Sequence, residues 1–315
     1  MLHLDAGRIH ALGDYQGLVA ALKQMNREGV DALDRMLLSE AQKKGVQNDW
    51  LMLPAWSYGR AFGIKLVSVF PENPPRNLPA VQGLYVLFDG KNGAAIATMD
   101  GAALTLVKTA ANSAMAADLL ARSDAKILLM LGGGALAPHL IAAHATKRQF
   151  DRVLWWNRRP EALAAPAAML RERGIGVEIV SDLAGAMREA DIVSAATRAT
   201  TPLIEGAWLK PGCHLDLVGG YLPEMREADD AAFGAAPRHY IDARFTTIDV
   251  AGDVVQPIRD GLARPEDFID MFELNRGEKP GRQSADEITW FKSGGGGHED
   301  LAVAQYLFDR ANGAD

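Results

Sequence analysis

The sequence predicts an α/β fold, with a doubly wound parallel sheet preceded by a strand-rich part of mixed α+β character. Three observations predict it. From Lys126 to about Ala243, short apolar runs alternate with helical stretches, the pattern of strands joined by helical crossovers. Before Leu104 the apolar runs are separated by links too short for crossovers, so this part reads as mainly antiparallel. One glycine-rich turn, Gly132–Ala137, stands directly between a strand pattern and a helix pattern.

Taken in order, Leu18, Val19, Leu22 and Met25 recur at helical spacing and predict an amphipathic helix over about Tyr15–Arg27. The stretch Gly29–Asp49 is charged and shows no clear period. Trp50–Leu53, Gly63–Phe70, Gly83–Phe88 and Ala94–Met99 read as strands, with PENPPRNLP and FDGKNGA as loops between them. From Leu104 to near Ser123 the chain is rich in Ala and Leu and reads as one long helix. Then come strand KILLML, a helix over about Ala135–Thr146, strand RVLWW, a helix over Pro160–Arg173, strand VEIV, a helix over Leu183–Glu189 and strand DIVSAA. HLDLVG and HYIDA extend the same sheet, and helices near Ala263–Phe272 and Leu301–Ala311 complete the reading.

The chain has 315 residues, 33 Lys+Arg against 40 Asp+Glu and a net charge of −7. Its 48% hydrophobic and 23% charged residues exclude disordered, collagenous and coiled-coil classes. The acidic balance argues against nucleic acid as a partner, which needs a basic face. A single cysteine, Cys213, forms no internal disulfide and reads as packing in a turn before a strand. The opening segment shows no basic start followed by an apolar block, and the most apolar stretch, Ile127–Pro138, is too short to span a membrane. A soluble, cytoplasmic protein is expected. His139 and His144 are off one helical face, so no zinc pair and no metal site is expected, and there is no P-loop and no G-x-S-x-G elbow.

The strand KILLML runs straight into Gly132, Gly133, Gly134, Ala135, Leu136 and Ala137, a G-x-G-x-x-A turn opening a helix. Gly132 permits the tight turn, Gly134 lets backbone approach a pyrophosphate, and small Ala137 lets helix and strand pack closely. A bare structural turn is the alternative, but the strand before and the βαβ alternation after favour a dinucleotide site. At the end of the next strand stand Asn157, Arg158 and Arg159, with no acid for a ribose 2′-hydroxyl. Arginine pairs with a 2′-phosphate that a carboxylate would repel, so NADP(H) is favoured over NAD(H). The alternative is that the two arginines form an ordinary solvated loop.

Several segments, in order, resemble the ornithine cyclodeaminase/mu-crystallin family over nearly the full chain. They are GIKLV (Gly63–Val67), ATMDG (Ala97–Gly101), LTLVKTAANSA (Leu104–Ala114), LGGGALA, WNRR, ADIVSAAT (Ala190–Thr197), LKPGCHLDLVGG (Leu209–Gly220) and ITWFKSGGGGHED (Ile288–Asp300). The resemblance implies a Rossmann domain over residues 119–289. It implies a substrate-binding and dimerisation domain from residues 1–118 with 290–315, and a homodimer acting on a small amino or imino acid. The family includes cyclodeaminases that turn ornithine into proline and ammonia, imine reductases, amino-acid dehydrogenases, and crystallins that bind NADPH and small ligands.

Lys65 lies in an otherwise apolar strand, where a lone ammonium is costly to bury without an anion. The resemblance implies that it faces substrate as a carboxylate contact or proton donor; the alternative is an edge strand with Lys65 in solvent. Lys108 stands where the resemblance implies an arginine that clamps the substrate carboxylate, and lysine offers one point charge in place of a fork. Arg35 is a third candidate carboxylate contact, with a solvated arginine as the alternative. Thr109 would lie near the cofactor. Thr197, Val218 and Gly219 would border it at the strand ends, and Ser293 and Gly295 would border the nicotinamide carboxamide. Glu299 and Asp300 are expected to favour a helix N-terminus, a structural role. Tyr221 stands where the resemblance implies the aspartate of cyclodeaminases, and a phenol of ordinary pKa near 10 is a poor base at neutral pH. The reading that follows is an NADPH-dependent reductase of 2-imino acids. The alternatives are cyclodeamination, amino-acid dehydrogenation, and a non-catalytic NADPH-dependent binding protein.

Overall fold

A computed structural model describes residues 1–33, 35–41 and 47–313. The chain divides into two compact units, Met1–Lys108 with Gly296–Asp315, and Thr109–Gly295. The changeover falls inside one helix, between Lys108 and Thr109, and again within the glycine run at Gly295–Gly296.

In the first unit the elements are β1 (Leu2–Leu4), α1 (Ala6–Leu12), α2 (Tyr15–Glu28), β2 (Asp31–Ala32) and β3 (Met36–Ala41). They continue with β4 (Gln47–Ser57), β5 (Ala61–Val69), β6 (Val81–Asp89), β7 (Ala95–Asp100), the start of α3 (Gly101–Leu120) and the C-terminal helix Gly297–Ala311. Asp14 caps α2 by accepting the Gly17 N–H at 2.8 Å, and Gly29, at φ 85°, ends it. Between these stops Leu18, Val19, Leu22 and Met25 are all buried, as their spacing predicts. The sheet order is β1-β7-β6-β5-β4, with β2 and β3 both along the far edge of β4. Only β1 joins in parallel; the other pairings are antiparallel. Lys65 lies opposite Leu53 of β4 and Tyr85 of β6, so its strand is interior to the sheet and not an edge. The period of two puts Gly63 and Lys65 on the buried face and Leu66 on the open one.

The second unit contains the rest of α3, then β8 (Ile127–Leu131), α4 (Ala137–Ala145), β9 (Arg152–Trp156), α5 (Ala164–Glu172), β10 (Glu178–Ile179), α6 (Leu183–Glu189) and β11 (Ile192–Ala195). It continues with β12 (His214–Leu217), α7 (Asp230–Ala235), β13 (His239–Ile241), α8 (Arg244–Thr247), α9 (Gly252–Arg259), β14 (Phe268–Asp270), α10 (Met271–Asn275) and β15 (Thr289–Lys292), so the C-terminal helix is α11. Its sheet runs β10-β9-β8-β11-β12-β15-β13-β14, and every pairing is parallel. The order reverses between β8 and β11, which is where ligands of such sheets bind, outside the carboxyl ends of the strands. Leu129, Leu131, Val193, Leu215, Leu217, Phe233, Phe268 and Trp290 form much of its core.

Three expectations need correction. Ala263–Phe272 is not a helix: a 3-10 turn at Pro265–Asp267 leads into β14, and α10 begins only at Met271. Asp270 is the cause, because it and Glu273 form a capping box that starts the helix there. The helix expected over Pro160–Arg173 opens as a 3-10 turn, Pro160–Leu163, before α5. The long helix begins at Gly101 and not Leu104, because Asp100 accepts the Ala103 N–H at 2.8 Å and caps it earlier.

Candidate active site

The glycine turn of the second unit is built as a dinucleotide cradle requires. Gly132 sits at φ 110°, and a Cβ there would stand 2.4 Å from the Ala196 carbonyl oxygen, so only glycine lets the turns after β8 and β11 meet. Its N–H donates to the Trp156 carbonyl at 3.0 Å and its carbonyl accepts the Trp155 indole N–H at 2.6 Å, which locks the turn to β9. Gly134 has open space where a side chain would be, and with Ala135 and Leu136 it leads to α4, whose first residue, Ala137, is buried. A cleft of about 480 Å³ follows, lined by Gly132–Gly134, Asn157, Arg158, Arg159 and Thr197, among others. Arg158 and Arg159 are exposed, and the Asn157 side chain donates to the Arg159 carbonyl at 3.0 Å. Open backbone at Gly134, a helix start beyond it and two exposed guanidiniums suit a pyrophosphate and a ribose phosphate, so the residues present fit a nicotinamide dinucleotide.

Another wall of this crevice comes from the turn after β11, and the turn after β12 packs against that turn. Thr197 follows β11, Val218 is buried at the end of β12, and Gly219 comes next. A Cβ on Gly219 would stand 2.0 Å from the Thr197 carbonyl oxygen, so the two turns are in direct contact. Glu227, fully buried, accepts from the Thr197 N–H and hydroxyl, each at 2.8 Å, and from the Gly219 N–H at 2.7 Å. Burial, partly opposed by Lys292 and reinforced by Asp253, pushes its carboxyl up to about 7. After β15, Ser293 is buried and its hydroxyl accepts from the Asn112 amide at 3.3 Å. Asp242 accepts the N–H groups of Gly294 and Gly295, which gives the start of the glycine run a fixed hydrogen-bond partner.

The first unit holds a second, charged cluster. Lys65 is 5% exposed and its Nζ lies 2.7 Å from Asp300 Oδ2; Lys108 is 3% exposed, with Nζ 2.6 Å from Glu299 Oε2. The Lys65 ammonium also reaches the Thr105 hydroxyl at 3.5 Å. Burial drives the Lys65 pKa below its usual value; Asp300 opposes this and Lys108, a neighbouring cation, adds to it. Tyr85, directly opposite Lys65 in the sheet, is fully buried, and burial next to Asp300 raises its phenol well above the ordinary range. Glu299 and Asp300 stand at the helix start, as expected, and the structure adds a second contact for each. Both are buried in the first turn of α11, and each neutralises a buried lysine. The signal available in sequence was two adjacent acids at the start of an otherwise buried helix, which matched two lysines in apolar surroundings.

Other candidates fall elsewhere. Thr109 is buried next to Lys108 on α3. Tyr221 is 45% exposed beyond Gly220, and Arg35 is exposed just ahead of β3. Cys213 is fully buried, which pushes its thiol up to about 12 and removes it as a nucleophile. Sequence reading missed a buried polar group in which Ser194 and His144 both bond Asp216, at 2.6 and 3.2 Å. Its arrangement is not a hydrolytic triad, because serine and histidine share the carboxylate and none of the three is exposed.

The family model described as the ornithine cyclodeaminase/mu-crystallin family matches residues 8–315. A delta(1)-pyrroline-2-carboxylate reductase of Paracoccus denitrificans is 43% identical over 259 residues, which is 80% of each chain. The solved structure of the Thermococcus litoralis delta(1)-pyrroline-2-carboxylate reductase in complex with NADH and L-proline superposes with a TM-score of 0.90 at 28% identity, covering 99% of this chain and 98% of that one. An archaeal alanine dehydrogenase dimer with bound NAD superposes with a TM-score of 0.89 at 25% identity, covering 99% and 96%.

Proposed function

The chain belongs to the ornithine cyclodeaminase/mu-crystallin family, and from that premise we propose that it is an NAD(P)H-dependent reductase of 2-imino acids, with Δ1-pyrroline-2-carboxylate as the type substrate. The observation that carries this reading is the pair of buried ammoniums, Lys65 and Lys108, in one dry cluster. Two cations held out of water in this way suit a carboxylate.

A bound nicotinamide supplies the hydride that reduces the imine carbon. The chain supplies the rest. Lys65 and Lys108 receive the substrate carboxylate, and Asp300 and Glu299 keep both lysines oriented before it arrives. The imine nitrogen gains a proton as the carbon is reduced. Lys65, whose burial eases deprotonation, or a water delivers it. Positioning in a water-poor cluster accounts for most of the rate. Arg158 and Arg159, with Asn157 before them and no acid among the three, favour NADP(H) over NAD(H).

Cyclodeamination requires a base at Tyr221 or close after it. Glu224 is exposed and Glu227 is engaged with Thr197 and Gly219, which supports simple reduction instead. The open face of the first unit's sheet exposes Leu38, Trp50, Leu66 and Leu84 around a cleft of about 430 Å³, and this face suits a second copy of the chain in a homodimer.

The test is to titrate the protein with NADPH and NADH separately, following nicotinamide fluorescence, and then add Δ1-pyrroline-2-carboxylate. NADPH oxidation on addition supports the reductase. Preference for NADH overturns the cofactor assignment, and ammonia release from L-ornithine would re-establish cyclodeamination. Tight dinucleotide binding with no oxidation over a panel of imino acids would favour a binding protein.

A further inference from the structure

The second unit carries a charged cluster that the reaction just proposed leaves unused. Lys292, at the end of β15, is 0% exposed, and its Nζ donates no hydrogen bond. It lies 3.4 Å from Asp253 Oδ2 of α9 and 3.9 Å from Glu227 Oε2. Asp253 Oδ1 in turn accepts the N–H groups of Glu227 and Ala228, at 2.8 and 3.2 Å, which fixes the backbone that carries Glu227. A buried ammonium facing two buried carboxylates is costly to assemble and is a weak device for stability alone.

What the cluster holds is the crevice wall. One oxygen of Glu227 takes both donors of Thr197, after β11, and the other takes the N–H of Gly219, after β12. These turns stand at the carboxyl ends of adjacent parallel strands, and Thr197 itself lines the cleft at Gly132. The turn before Thr197 meets Gly132 across the point where the strand order reverses. We propose that Glu227 is the positioning residue of the dinucleotide crevice: its carboxylate ties the turn after β11 to the turn after β12, and Lys292 beneath is the cation that faces it. This rests on the dinucleotide-dependent reading above.

The chemistry of the tie gives it a pH signature. All the contacts to the Glu227 side chain come from donors, so the ionised carboxylate satisfies all of them. A protonated carboxyl turns one acceptor oxygen into a donor and leaves Thr197 or Gly219 without its partner. The groups that face it are Lys292 from β15, Asp253 from α9 and the Thr197 hydroxyl. Since its carboxyl is pushed up to about 7, the tie forms as pH rises through neutrality. Stability moves the other way. The folded chain holds this proton when the unfolded chain has released it, so Glu227's contribution to stability falls from about pH 4.5 to about pH 7.

The experiment measures NADH affinity by nicotinamide fluorescence at about pH 6 and about pH 8, in wild type and Glu227→Gln. NADH is the probe because its ribose carries no 2′-phosphate to titrate. Wild type should bind about tenfold more tightly at the higher pH, a change of ~1.4 kcal/mol. Glu227→Gln, which mimics the protonated acid, should match wild type near pH 6 and lack the gain near pH 8. Equal affinity of the two proteins near pH 8 would overturn the proposal, as would a deficit of the same size at both pH values. If Glu227→Gln does not fold, Lys292→Met serves: removing the cation should move the midpoint of the affinity profile to higher pH, and an unmoved midpoint would overturn the proposal. Wild type that binds no dinucleotide at any pH would instead overturn the functional reading on which the proposal rests.

Discussion

Lys65 Nζ stands 2.7 Å from Asp300 Oδ2, with both side chains buried, one on an interior strand and the other in the first turn of the C-terminal helix. The pair binds the helix to the sheet and sets the charge of the lysine together. Removing one partner leaves the other as an uncompensated buried charge, which costs ~3–5 kcal/mol. Lys65→Met should therefore abolish turnover, keep NADPH binding and lower stability by about that amount. Adding Asp300→Leu should restore most of the stability and none of the turnover, because it removes the stranded carboxylate without replacing the ammonium. Urea midpoints and NADPH fluorescence read both effects. A stable double variant that had lost NADPH binding would count against the proposed role of Lys65.

Arg158 and Arg159 project from the end of β9 as exposed guanidiniums at the cleft. A guanidinium on a phosphate is worth ~1.5–3 kcal/mol as a charge-assisted bond. Replacing both by alanine should weaken NADPH binding by about 10- to 100-fold and leave NADH nearly unchanged. The loss should shrink at high salt, since these groups are in water. Fluorescence titrations of the two nucleotides at two salt concentrations decide it. An equal loss for both nucleotides would place the arginines elsewhere than on the 2′-phosphate.

The elements that were legible in advance were those whose pattern repeats. Leu18, Val19, Leu22 and Met25 mark α2 because four residues keep one period, and the β-α alternation of the second unit is legible for the same reason. The crevice at Gly132 was legible because three local signals agree there: a strand, a G-x-G-x-x-A turn and a helix. β1 and α1 escaped notice because three and seven residues hold too little period to read. The two ion pairs escaped for another reason. Lys65 and Lys108 meet Asp300 and Glu299 only after residues from opposite ends of the chain have been folded into one unit. No spacing rule reports that pairing, although a lone lysine in an apolar strand does announce that an anion must come from somewhere. The role of Glu227 likewise shows only in the fold, where its three donors come from two separate turns.

Leu66 and Leu84 are cross-strand neighbours on the open face of the first unit's sheet, 38% and 40% exposed, and Trp50 nearby is 47% exposed. An apolar face of this kind is costly to leave in water. Leu66→Glu should turn the proposed dimer into a monomer, because a carboxylate at such a contact finds no partner. Light scattering after size exclusion would show it. Wild type that runs as a monomer at micromolar concentration would remove the dimer assignment.

His214 and Asp216 alternate with core leucines along β12 and are both fully buried. Burial lowers the His214 imidazole to about 3, with Asp216 opposing that trend and His144 adding to it. For Asp216, burial works upward, but the His144 contact and the Ser194 hydrogen bond outweigh it and hold the carboxyl below its usual range. Both shifts act in the same direction on stability. Below about pH 6.5 the unfolded chain takes a proton on His214 that the folded chain refuses, so stability drains away as pH falls towards 3, by ~1.4 kcal/mol for each pH unit in that window. Asp216 adds its own loss as pH falls through the carboxylate range. His214→Asn keeps an N–H donor in reach of the Thr289 hydroxyl oxygen, which His214 Nδ1 meets at 2.9 Å while that hydroxyl donates to the Leu120 carbonyl, and it cannot take up the proton. The variant should be somewhat less stable at neutral pH, where it leaves a small cavity. It should lose less stability than wild type between about pH 6.5 and about pH 4.5, read as the shift in urea midpoint. Parallel losses in the two proteins would mean that His214 is protonated in the folded chain after all, and that the acid sensitivity lies with the carboxylates alone.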